Sequence, residues 1–241
     1  MDSQEDRHLE TLREFLERTG SFNQSSLPIG CGMDTNPGLT RKVSAEGRLL
    51  DYHGNTVVYR LPDEAKRQIG ILQDKLYAVC GDLLAEPLAE DTFHITLHDL
   101  VSGPASPELE RAMREVEPAV MTRTAERSNE PGTIRMRSSF LFNMVNTSMV
   151  LGFEPEDEES CRRLMRNYEV FQDIVALNYP LTPHVTLAYF KPGTIRTEQV
   201  GRLQSVIDFA RAQEVIRVEL SGSMLEYQIF SSMNCYRTQA Q

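Results

Sequence analysis

No run of apolar residues in this 241-residue chain approaches the length needed to span a membrane, and the opening MDSQEDRHLE is too charged for a signal peptide. The expected setting is the cytoplasm, without a membrane partner. Basic residues are scarce as well. Against 35 Asp and Glu there are 25 Lys and Arg, and the formal charge of −10 argues against a footprint for long nucleic acid while leaving room for a local basic groove. The four cysteines, Cys31, Cys80, Cys161 and Cys235, are widely spread and form no CxxC pair. That spacing suggests neither a disulfide framework nor a zinc site, so the thiols read as reduced and structural, with no metal and no cofactor expected. The glycines of SSLPIGCGMDTNPG lack the Gly-Lys-Ser/Thr ending of a phosphate-binding loop.

What is present falls into an extension and two similar halves. Residues 3–20 have a helical pattern: Ser3 with Asp6 resembles a capping box, Leu9, Leu12 and Leu16 share a face, and Gly20 can end the helix. His8 lies on this helix, in solvent. From Ser21 to Gly54 the chain is rich in Gly, Pro, Ser and Asn with no clear period and reads as an irregular connector, in which His53 has a turn role. Residues 1–54 are thus expected to precede a domain spanning 55–236. That domain begins with a strand, TVVYRL, and a helix from Asp63 with Ile69, Leu72, Leu76, Val79 and Leu83 in one stripe. The strand FHITL follows, then a helix from Ser106-Pro107 that Pro118 should break or kink, then the strand TIRMRSSFLFN. The second half repeats the order: strand TSMVLGF, a helix from about Glu156 with Cys161, Leu164, Tyr168, Phe171 and Val175 on one face, strand HVTLAYF, and a helix carrying Val200, Leu203, Ile207 and Ala210. Strands VIRVEL and MLEYQIF complete it.

The repeat carries a repeated motif. FHITL contains His94-Ile95-Thr96-Leu97, and HVTLAYF contains His184-Val185-Thr186-Leu187. Thr56 precedes the first histidine by nearly the same interval as Thr147 precedes the second, which marks a duplication of architecture though not of detailed sequence. Side chains alternate along a strand, so each histidine shares a face with its threonine while the apolar partners anchor the other face. An approximate two-fold axis then brings two imidazoles and two hydroxyls into one cleft. Phosphodiester chemistry uses that set of groups. One histidine can take a proton from the attacking hydroxyl, the other can protonate the leaving oxygen, and threonine hydroxyls can hold the non-bridging oxygens.

The paired motifs resemble the signature of the two-histidine (2H) phosphoesterase superfamily, over roughly residues 55–236. That resemblance implies an α+β fold, bilobal and pseudo-two-fold, with two antiparallel-rich sheets facing a central cleft and helices outside. It also implies metal-independent cleavage of a cyclic phosphate or a ribose-linked phosphodiester, with His94 and His184 as the catalytic pair and Thr96 and Thr186 as phosphate ligands. Expected substrates are small: a 2′,3′-cyclic nucleotide, a cyclic ribose phosphate, or a short oligonucleotide of the kind met in RNA processing. The competing class is a nucleotide or RNA-end binding module that keeps the cleft without turnover. No protein partner is inferable.

Other residues are candidates of a second order. His98 shares strand parity with His94 and Thr96 and is expected at the cleft mouth, although its counterpart in the other half is Ala188. Tyr189 follows the second motif and either touches substrate or packs. Arg135 and Arg137 alternate with Ile134 and Met136, so both guanidinium groups either face the cleft or cover a solvated sheet face. The acidic run Glu154–Glu159 suits a helix start, and Arg162, Arg163 and Arg166 suit the solvent face of that helix.

Overall fold

The computed structural model describes residues 9–25 and 27–239; His8 and the Ser3–Asp6 box lie outside them. Within these bounds the first helix, α1 (Leu12–Ser25), starts later than its leucine pattern suggests and ends later too. Its capping box is Thr11 with Glu14: the Glu14 carboxylate accepts the Thr11 backbone N–H at 2.8 Å, and Thr11 Oγ1 accepts the Glu14 N–H at 3.3 Å. Gly20 does not end it. Phe15 is fully buried and Phe22 stacks on Phe142 at 5.2 Å, and docking these rings outweighs the cost of about 1 kcal/mol for a mid-helix glycine. Beyond it, the two-residue strand β1 (Met33–Asp34) and a 3-10 turn at Pro37–Arg41 lead to Leu39 and Val43, both buried in the common core.

The first half then runs β2 (His53–Arg60), α2 (Asp63–Cys80), β3 (His94–Gly103) and α3 (Pro107–Ser128). Ser106 caps α3 by accepting the Leu109 N–H at 3.1 Å, and Pro107 takes the first turn, where its missing N–H costs nothing. The helix runs unbroken through Pro118, which is exposed, so the carbonyl it leaves unpaired one turn back can face water. Strand β4 (Thr133–Met144) leads into the second half: β5 (Ser148–Pro155), α4 (Glu158–Gln172), β6 (His184–Tyr189), the short β7 (Thr194–Ile195) and α5 (Thr197–Arg211). Asp157 caps α4 through the Ser160 N–H at 2.8 Å, and Glu158 and Glu159 occupy its first turn as the acidic run anticipated. Strands β8 (Arg217–Ser221), β9 (Leu225–Ser232) and β10 (Cys235–Thr238) end the chain; the last has no counterpart in the sequence reading.

These strands build two antiparallel four-stranded sheets, ordered β10-β9-β2-β3 and β6-β5-β4-β8. The pseudo-two-fold exchanges β3 with β6 and β2 with β5, so each motif strand is the edge of its sheet and the two edges meet. Helices cover the outer faces, with α2 against α5 and β6, and α4 against β3, β4 and β5. The connector packs on this body. Strand β1 pairs with β7, and Asn36 receives the tip of the β4–β5 hairpin, its backbone N–H donating to Asn146 O at 3.0 Å. That tip places Val145 at φ 43° and Asn146 at φ 59°, the double left-handed geometry of a type I′ turn, which is costly for a β-branched residue. Among the described residues no helix is long and apolar enough to cross a membrane.

Candidate active site

The site is set by a β-bulge that occurs in both halves at the same residue of the motif. Thr96 faces Val58 and His98 faces Val57 across the β2–β3 ladder, which leaves Leu97 as the extra residue. Thr186 faces Val150 and Ala188 faces Met149 across β5–β6, which leaves Leu187. A bulge puts two successive side chains on one face and shifts the alternation that follows. Up to Thr96 and Thr186 the motif therefore behaves as strict alternation predicts, with His94 and Thr96, and His184 and Thr186, turned into one cavity of about 660 Å³. The same cavity is lined by the next residues of that face, Asp99 in one half and Tyr189 in the other. The bulge in β6 frees the Leu187 carbonyl, and the buried Gln73 of α2 donates to it at 2.9 Å.

Both imidazoles are held by the same device. His94 Nδ1 lies 2.7 Å from the Thr92 carbonyl, and His184 Nδ1 lies 2.7 Å from the Thr182 carbonyl. A carbonyl only accepts, so Nδ1 carries the proton in each ring and Nε2 keeps its lone pair. The His94 ring also meets Tyr236 of β10 edge-on at 4.9 Å. Burial in the cleft wall pulls His94 down to about 4, against the opposing Thr92 hydrogen bond, and the nearby His184 lowers it further. Burial lowers His184 as well. At neutral pH both rings in the free cleft are bases. Thr96 and Thr186 make no side-chain hydrogen bond among the described residues, which leaves both hydroxyls able to donate to a ligand.

The second-order candidates separate cleanly. His98 is not at the cleft mouth: the bulge turns it to the opposite face, where it is 1% exposed, packs on Tyr168 and Phe171, and pairs through Nε2 with Gln172 Oε1 at 3.3 Å. Its pKa is lowered by burial, which fits a neutral structural ring. Tyr189 does line the cavity, with its hydroxyl on Met233 Sδ at 3.1 Å. Arg135 and Arg137 do not line it. They sit at the end of β4 that pairs with β8, exposed, with Arg135 Nε on Asp157 at 3.0 Å and Arg137 Nη2 on Glu154 at 2.7 Å; each guanidinium is already taken by the carboxylate its strand position brings alongside.

Several cavity residues escaped the sequence reading, Tyr52 and Tyr179 among them, and three bear most on the chemistry. Asp99 arrives by the bulge shift and accepts a hydrogen bond from Tyr179 at 2.9 Å. Tyr236 comes from the unforeseen β10. Lys42 comes from the connector, where nothing in the local pattern marks it; its Nζ lies 4.9 Å from the centre of the Tyr52 ring and 5.7 Å from that of Tyr189. Among the described residues no group of three or more His, Cys, Asp or Glu is arranged to hold a metal ion.

No family model and no curated protein matches the chain significantly. Among solved structures, the conserved protein of unknown function ATU0111 from Agrobacterium tumefaciens str. C58 superposes with a TM-score of 0.66 at 20% identity, over 86% of this chain and 93% of its own. Looser likenesses are TT0787 of Thermus thermophilus (TM-score 0.47, 16% identity, 77% of this chain and 94% of its own) and E. coli LigT complexed with 3′-AMP (TM-score 0.43, 14% identity, 79% and 97%). The chain thus has the bilobal α+β fold that its likeness to the two-histidine phosphoesterases implied, and it shares that fold with the Agrobacterium protein over most of both chains.

Proposed function

We propose that the protein is a two-histidine phosphodiesterase acting on a cyclic phosphate or a ribose-linked phosphodiester of nucleotide size. The observation that carries this reading is the mirrored presentation of His94 and His184, each locked by the carbonyl two residues upstream so that Nε2 is free. The scheme assigns one Nε2 to remove the proton from the attacking water or ribose hydroxyl, and the other, protonated, to deliver a proton to the departing oxygen. Thr96 and Thr186 donate their hydroxyls to the non-bridging oxygens as negative charge builds on phosphorus. A cavity of about 660 Å³ suits a mononucleotide or dinucleotide and not a long duplex.

The acid must be made on binding. Burial keeps both rings neutral in the free cleft, and the negative charge of a bound phosphodiester favours protonation of one of them. This point also gives the binding-module reading its one supporting observation, since two neutral imidazoles whose Nε2 atoms only accept, for example from a ribose hydroxyl, hold no proton ready for a departing oxygen. A panel of 2′,3′-cyclic nucleotides, cyclic ribose phosphates and 3′-5′ and 2′-5′ dinucleotides, with product identification, separates the two. Turnover of at least one class, abolished in His94→Ala, is expected; saturable nucleotide binding with no turnover across the panel leaves the binding module.

A further inference from the structure

Lys42 is the one Lys or Arg that lines the cavity among the described residues. Its backbone is fixed on both sides. Leu39 and Val43 are buried, the Lys42 N–H donates to Leu39 O at 2.8 Å, and the Leu50 N–H donates to Lys42 O at 2.8 Å. The side chain then passes into the cleft between the faces of Tyr52 and Tyr189. There the ammonium makes no hydrogen bond or ion pair among the described residues; the cavity's carboxylate, Asp99, is instead engaged by Tyr179. Burial disfavours the charge, but Tyr189, Tyr52 and Asp99 favour it more, and the net direction is upward, so Lys42 is a cation at neutral pH. Three donors that find no acceptor among the described residues, held beside two aromatic rings and facing a cavity, are available to an anionic ligand. A lysine that served only the fold is expected to find its carboxylate or carbonyl within the protein.

The place of this cation along the strands says what it can hold. Tyr189 comes three residues after Thr186 in β6, and the other ring, Tyr52, hydrogen-bonds Ser102, six residues after Thr96 in β3. At a rise of about 3.3 Å per residue Tyr189 stands roughly 10 Å beyond Thr186 and Ser102 roughly 20 Å beyond Thr96, so the ammonium held between the two rings lies roughly 10 Å or more further along the cleft than the threonines. A ribose with a diester at one edge and a phosphate on its 5′ carbon covers such a span. We propose that Lys42 is a second anion subsite, which holds a phosphomonoester carried by the same molecule whose diester lies between His94 and His184. The inference rests on the phosphodiesterase reading for the other end of the ligand. It makes the preferred substrate a doubly phosphorylated ribose, and it makes Asp99 the acceptor for a neutral hydroxyl between the two phosphates, since Tyr179 occupies only its Oδ2.

Titration calorimetry at pH 7, in buffer free of phosphate and sulfate, tests this with adenosine 3′-monophosphate and adenosine 3′,5′-bisphosphate. The wild type is expected to bind the bisphosphate at least tenfold more tightly. Lys42→Met should bring the bisphosphate down to the affinity of the monophosphate, and Lys42→Arg should keep much of the preference, with thermal melts confirming that both variants fold. Equal affinities in the wild type overturn the subsite, as does a preference that survives in Lys42→Met or a failure of either ligand to bind. The wild-type comparison stands even if Lys42→Met does not fold. A Lys42-dependent preference in a protein that cleaves no phosphodiester keeps the subsite and removes the phosphodiesterase; cleavage without the preference does the reverse.

Discussion

Burial of the two imidazoles makes the protein sensitive to acid in a window that ordinary carboxylates do not control. His94 titrates near 6.5 when unfolded and near 4 in the folded cleft, because the cleft wall desolvates the charged ring. A base whose folded value is depressed contributes stability that is complete above 6.5 and is lost as the pH falls towards 4, since the unfolded chain binds the proton first. The gap corresponds to roughly 3 kcal/mol over the whole window, of which about 2 kcal/mol falls between pH 7 and pH 5. His184 and His98 shift in the same direction and add to it. Asp82, Asp157 and Glu159 are held below the ordinary carboxylate range by their arginine, backbone and serine partners, so their contribution is lost only at still lower pH. His94→Asn isolates the term, because an Asn amide can still donate to the Thr92 carbonyl but does not titrate. Urea unfolding of both proteins at pH 7 and pH 5 should show the wild type losing about 2 kcal/mol more than the variant. Equal losses would refute a desolvated His94 and, with it, the account of why both rings are neutral before substrate arrives.

The remaining predictions concern turnover of whichever diester the panel identifies. The kcat/KM profile should be a bell centred on the acid side of pH 6.5, because the reacting form needs one neutral and one protonated imidazole and burial lowers both; a bell centred above 7 contradicts this. His94→Ala and His184→Ala should each lower kcat by about 10² to 10⁴, with the double variant losing less than the product of the two, and near wild-type rates in both single variants end the acid–base assignment. Thr96→Val and Thr186→Val should lose less, partly in KM; an effect as large as that of the histidine variants would mean that a threonine takes part in proton transfer. Activity should survive extensive dialysis against EDTA, and loss restored by one divalent ion would place the chemistry in another class.

How much of this was legible in the sequence turns on one residue type in the motif. The apolar periods located α2, α4 and α5 because each of these helices buries one face against the core, and periodicity is the direct record of that burial; β2, β3, β5 and β6 were marked by short apolar runs, and α3 by its Ser106-Pro107 start. The histidines and threonines were legible because strict alternation holds as far as Thr96 and Thr186. It fails at the next residue. Leu97 and Leu187 are the bulged positions, and a bulge has no composition signature when the extra residue is itself a buried leucine. The error at His98 and the omission of Asp99 are thus one event, the same one-residue shift read from its two sides. That the shift occurs in both copies was available in principle: a leucine in the same place of a duplicated motif, followed by pairs as unlike as His98-Asp99 and Ala188-Tyr189, asks which member of each pair turns inward. Only the ladder register answers, by placing Asp99 opposite Thr56 and Tyr189 opposite Ser148, so that Ser148 rather than Thr147 is the structural counterpart of Thr56. Lys42 was illegible for a different reason. It reaches the cleft from a segment without period, fixed there by Leu39, Val43 and a 3-10 turn, and contacts between a connector and a distant strand leave no periodic trace. The part of the site that fits phosphodiester chemistry is therefore written in the motif, and the part that would choose among phosphodiesters is written in the bulge and the connector.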